Sequence, residues 1–218
     1  MTLAEKIDIP KYSLGEELFS AISHGIGGLL SIAGLVLCVV FSAIHHDAYA
    51  VVSSVIYGTT SIILFTMSTL YHSFKVNNAK RVFRIIDHCS IFLLIAGTYT
   101  PYALVALPKV TGWVIFGVNW TCAIIGIVLN AIDLKKFKKI SMVLYLVMGW
   151  MVIFTFKDLI ASVDIGCIYL SLAAGILYTI GAIFYGVGKK HKYMHSIFHL
   201  LVLAASILFF FAIFLYII

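Results

Sequence analysis

The side chains able to do chemistry in this 218-residue chain are few: eight histidines and nine Asp and Glu together, in a sequence that is 62% hydrophobic. Ser68, His72, Asp87, His195 and His199 form the most suggestive set, with Glu17, His24 and His88 as companions whose roles the spacing does not assign. His195 and His199 are four apart, so a helix projects both imidazoles from one face. That spacing can present two nitrogen ligands to one zinc ion. His72, from another segment, would complete the three protein ligands of a catalytic zinc and leave a fourth position for water. Asp87 would then accept a hydrogen bond from that water or from a ligating ring. Ser68, one turn before His72, would point into the same region. A centre of this kind suits metal-assisted hydrolysis. Each piece also has a plainer reading. An HxxxH pair near a membrane boundary suits two interfacial histidines. His72 can pack against backbone carbonyls. Asp87 can pair with Arg84, or sit at the positive N-terminal end of a helix.

The elements that must hold these residues are membrane helices. Only 11% of the residues are charged, too few to cover a soluble domain. Seven apolar segments run over 18–44, 48–74, 85–108, 110–132, 140–156, 165–188 and 193–218. Each is close to the roughly 20 residues that cross a bilayer, the fifth being the shortest. The segments do not alternate in polarity as barrel strands do, and helices satisfy their own backbone hydrogen bonds. The expected fold is therefore all-α, a seven-transmembrane helix bundle. It divides into a short N-terminal segment, 1–17, and a membrane domain, 18–218. Gly97-Thr98-Tyr99-Thr100-Pro101 lies within the third segment, where Pro101 predicts a kink.

Thirteen of the fifteen Lys and Arg fall in the N-terminal segment and in the 2–3, 4–5 and 6–7 connections, leaving Lys109 and Lys157 for the opposite side. Positive residues stay in the cytoplasm, so the N-terminus is expected inside and the C-terminus outside. The same distribution accounts for the basic balance without a nucleic-acid partner. The opening residues are too polar for a signal peptide, which leaves the first apolar segment to direct insertion. Cys38, Cys89, Cys122 and Cys167 are scattered through apolar stretches and read as small buried hydrophobes.

Depth ties the chemistry to this topology. His72 lies three residues before Lys75, Asp87 three after Arg84, and His195 three after Lys192, with His199 one turn deeper. At 1.5 Å per residue, all four fall within roughly 4–11 Å of the inner basic boundary. His24 and the Glu16–Glu17 pair sit near the same layer. A metal transporter would instead spread its ligands along a path.

Ser68-Thr69-Leu70-Tyr71-His72, then Asp87-His88 with Gly97-Thr98-Tyr99-Thr100-Pro101, then His195-x-x-x-His199 resemble the haemolysin III family, the bacterial branch of the progestin and adipoQ receptors. Glu17 and Ser23-His24-Gly25 resemble that family's first-helix signature, and the likeness covers essentially the whole chain. It implies zinc on His72, His195 and His199, a membrane acid at Asp87, a motif serine at Ser68, and a multi-pass protein of the bacterial cell membrane. A wider group with the same pattern includes alkaline ceramidases, which implies hydrolysis of an amide or ester of a membrane lipid. The alternatives are a non-catalytic receptor or sensor with structural zinc, and the cytolysin that the family name implies. Protein partners are not indicated.

Overall fold

The computed structural model describes residues 7–188 and 191–218. Lys6, Lys189 and Lys190, three of the inner cations counted above, lie outside the described residues. The described residues are mostly helical: α1 (Leu14–His45), α2 (Ala48–Ser73), α3 (Asn78–Pro101), α4 (Lys109–Gly149), α5 (Phe156–Ser162), α6 (Ile165–Val187) and α7 (Met194–Tyr216). Six helical stretches among the described residues are long and apolar enough to cross a membrane. The polarity is inverted relative to a soluble protein. Leu29, Val36 and Ile44 face outward on α1, while Ser20, Ser53, Ser54, Asn119 and Asn130 are fully buried. An outer surface of this kind requires lipid rather than water around it.

Polar side chains set the helix starts. Ser13 caps α1 in a reciprocal box with Glu16, and Asp47, Asn77 and Asp164 cap α2, α3 and α6 through backbone N–H groups. The basic stretch at 135–139, read above as a connection, is helical: α4 runs through it for 41 residues. A straight helix of that length would extend roughly 60 Å, twice the hydrocarbon thickness. The helix breaks instead at Asp133, whose backbone is extended (φ −160°, ψ 95°). Its carboxylate accepts the Lys136 N–H at 2.9 Å, capping the helix that restarts there. Pro101 closes α3 rather than bending its middle, and the chain continues as a π-helical turn, Tyr102–Ala106, into Leu107.

The helices α1 to α4 pack in sequence, α6 packs on α7, and α7 returns to α1, which places α1, α2 and α7 side by side. Gly97 lets α2 approach α3 closely, because a Cβ there would meet the Thr60 hydroxyl. In the same way Gly126 of α4 lies under the Phe92 ring of α3. These crossings fix α3, and with it Asp87, against its neighbours.

Candidate metal centre

His72 comes from the last turn of α2 and His195 and His199 from the first turns of α7; all three are buried, and one ring nitrogen of each lies within 4.8 Å of the others. The hydrogen bonds indicate which nitrogen each ring turns inward. His72 Nδ1 is 2.6 Å from Glu17 Oε2. A carboxylate accepts, so Nδ1 carries the hydrogen and Nε2 keeps the lone pair. That Nε2 is buried with no hydrogen-bond partner. His24 Nε2, on α1, lies 3.2 Å from the carbonyl of His199 on α7, which can only accept. His199 Nδ1 faces the His24 ring, 2.9 Å from Nε2 and 3.2 Å from Nδ1, and is engaged there. His199 Nε2 is left facing His195 Nε2 at 3.0 Å. Three imidazole nitrogens therefore converge without enough hydrogens to satisfy them. Ligands of a tetrahedral zinc sit about 3.3 Å apart, from metal–nitrogen bonds near 2.05 Å. The donor set and the unpartnered His72 Nε2 both fit a divalent ion of that size.

The supporting residues come from α1 and α3. Glu17 divides its oxygens between His72 and Lys80, whose ammonium is 2.6 Å from Oε1 and 3.0 Å from the Phe74 carbonyl. Lys80 is only 2% exposed, so it is an internal partner of this carboxylate as well as one of the basic-end charges. Glu16 reaches α7 directly and accepts the Tyr193 N–H at 2.7 Å. Tyr193 is the one non-glycine residue with positive φ among the described residues (φ 63°), a costly backbone held just before His195. The Tyr12 ring stacks on His195, 4.6 Å between centroids and 5° from parallel.

Asp87, Ser68, His195 and His199 line one cavity of about 130 Å³, whose remaining wall is largely apolar and runs between the second half of α4 and α6 to Trp150 and Phe209. The Ser68 hydroxyl lies beside the Asp87 carboxylate and is buried without a partner of hydrogen-bonding geometry. Asp87 makes no ion pair with Arg84 among the described residues; its Oδ2 lies 3.7 Å from His88 Nδ1. His88 is occupied on both sides. Nδ1–H donates to the Arg84 carbonyl at 2.9 Å, and Nε2 accepts from the Tyr185 hydroxyl at 3.0 Å. It orients α3 and is not available as a ligand. The structure thus brings Ser68, His72, Asp87, His195 and His199 to one place, and adds Glu17 and His24 as the groups that fix two of the rings. Tyr12, Glu16, Lys80 and Tyr185 were not singled out as site residues from the sequence. Glu16 had the signal of its depth, whereas Lys80 looked like any loop lysine.

A buried three-histidine cluster with an acid beside it, on a bundle of apolar helices, defines a membrane protein with a candidate metal centre. The sequence matches the haemolysin-III related family over residues 12–210. It is 39% identical to Hemolysin-3 of Bacillus cereus over 215 residues, 99% of this chain and 98% of that one. It is 40% identical to the Hemolysin-3 homolog of Bacillus subtilis (strain 168) over 205 residues, 94% and 96% of the two chains. The human monocyte to macrophage differentiation factor is 26% identical over 198 residues, 84% and 79% of the two chains. The chain belongs to the haemolysin III family, and it is a multi-pass bacterial membrane protein.

Proposed function

We propose that the chain is a zinc-dependent membrane hydrolase acting on an amide or ester of a lipid. The observation that carries this reading is the unpartnered His72 Nε2, buried against His195 and His199 in a site that also holds Asp87. His72, His195 and His199 would hold the ion; as neutral ligands they would leave it its full charge, which suits a catalytic rather than a structural zinc. Zinc supplies Lewis acidity, which lowers the pKa of water toward about 7 and polarises a carbonyl. Asp87 takes a proton from the attacking water as its oxygen bonds to the carbonyl carbon. It returns that proton to the nitrogen or oxygen that leaves when the amide or ester bond breaks. Ser68 donates its unshared hydroxyl to Asp87 or to the developing oxyanion. The apolar wall toward Trp150 and Phe209 receives the acyl chain.

The topology that goes with this reading has seven crossings, α4 passing the membrane twice about its break at Asp133, with the N-terminus in the cytoplasm. The positive-residue asymmetry supports it. Reporter fusions in the 74–77, 133–139 and 188–193 connections are expected to read as cytoplasmic, and an external signal from 133–139 would overturn it. For the chemistry, Asp87→Asn retains shape and removes the base. Zinc is expected to remain at one ion per chain while chelator-sensitive turnover of an N-acyl or ester lipid falls roughly 10²-fold or more. Turnover unchanged in Asp87→Asn removes the role given to Asp87. No turnover of any lipid by the zinc-loaded protein favours a receptor.

A further inference from the structure

A second pocket, of about 400 Å³, opens at the basic end of the bundle, where the segment before α1 crosses α3 and the approach to α7. Lys11, Tyr12, Arg84 and Lys192 line it together with Asp8 and Glu16. The two acids are already engaged. Asp8 lies 3.0 Å from the Lys135 ammonium. Glu16 accepts the Ser13 N–H, the Ser13 hydroxyl and the Tyr193 N–H, at 2.8, 2.7 and 2.7 Å. Arg84 has no such partner. It is 8% exposed, forms no ion pair among the described residues, and its Nε is buried without a hydrogen-bond partner, although its charge is felt by Asp87 one turn along α3. Exposed lysines at a membrane boundary need no explanation, but a buried guanidinium with no carboxylate at ion-pair distance does.

We infer that this pocket binds a phosphate group, anchored by Arg84, with Lys11 and Lys192 at its rim. A guanidinium presents a planar fork of donors that matches phosphate oxygens two at a time. Two lysines beside it suit a group with more than one negative charge. The Tyr12 phenol lines the same pocket and offers a further donor. The site is separate from the metal centre but shares structure with it: Tyr12 lines this pocket and stacks on His195, and Arg84 precedes Asp87 by one turn of α3. The phosphate can belong to a lipid headgroup or to a soluble ion. The inference stands on Arg84 whether or not the metal centre hydrolyses anything.

The test uses full-length protein in phosphate-free maltoside micelles and reads melting temperature and zinc content together. One arm titrates inorganic phosphate against chloride at equal ionic strength; the other adds short-chain phosphatidic acid to the micelles. Wild type is expected to show a saturable rise with at least one probe. A rise with inorganic phosphate identifies a soluble anion, and a rise with phosphatidic acid alone identifies a headgroup. Arg84→Gln is expected to weaken the response roughly tenfold or more. Because that variant removes a buried side chain, the exposed pair Lys11→Gln with Lys192→Gln is measured beside it. The pair is expected to weaken the response several-fold with an unchanged melting temperature in chloride. No response of wild type to either probe overturns the site, as do equal responses in wild type and both variants. A response abolished by chelator also overturns it, since the anion would then be sitting on the metal.

Discussion

Glu17 shows how one side chain can set a neighbour's chemistry. Its Oε2 takes the hydrogen of His72 Nδ1 and its Oε1 takes the Lys80 ammonium, which fixes the tautomer that turns His72 Nε2 inward. Glu17→Gln keeps the volume and removes the charge. Zinc affinity is expected to fall about 10–100-fold in a competition titration with a chromophoric chelator, and an unchanged affinity would show that Glu17 does not orient the ring. The His72→Ala, His195→Ala, His199→Ala triple variant is expected to retain no stoichiometric zinc. Protons compete for the same lone pairs, so affinity in wild type is expected to fall as pH is lowered, never as it is raised within the neutral range. At this scale the clustering of the three histidines was legible because HxxxH and its distance from the basic boundary are properties of spacing. Lys80 was not legible as a buried residue. Nothing along the chain distinguishes a lysine that turns inward to Glu17, 63 positions away, from one that faces water. Tyr12 was hidden for the same reason, since its stacking on His195 joins distant parts of the sequence.

Helices carry these residues, and their ends decide where the residues land. The apolar helices were legible from hydropathy, and the break near 133 from the charges that follow it. The continuation of α4 through 135–139 was not, because lysines are good helix formers and carry no signal that stops a helix. Asp133 makes the break, and its cap on Lys136 N–H is the contact to test. Asp133→Ala is expected to lower stability by about 1 kcal/mol, read as a lower melting temperature with zinc binding retained. A lower zinc content at saturating metal would show instead that the break positions the centre. Between α2 and α3, Gly97 leaves no room for a side chain against Thr60. Gly97→Val is expected to cost about 1–3 kcal/mol through forced separation of the two helices and, on the proposed hydrolase function, to lose lipid turnover as Asp87 withdraws from the site. Turnover and stability equal to wild type would remove the close crossing from the account.

The bundle as a whole keeps its polar groups inside and its apolar groups out, so packing between α1, α2 and α7 rests on specific contacts rather than on escape from water. Zinc joining α2 to α7 would add a cross-link between helices far apart in the chain. Saturating zinc at about 1,000 times its dissociation constant corresponds to about 4 kcal/mol of added stability. Chelation is therefore expected to lower the melting temperature of wild type and leave that of the triple histidine variant unchanged. The closure of α7 onto α1 also bears on how the molecule is made. Ser20 and His24 leave the ribosome 176 and 175 residues ahead of Ser196 and His199, the residues they meet. During synthesis α1 must wait in the membrane with its histidine and serine unmatched until α7 arrives to close the polar seam. A nascent chain arrested before Met194 would carry that open seam without His195 or His199.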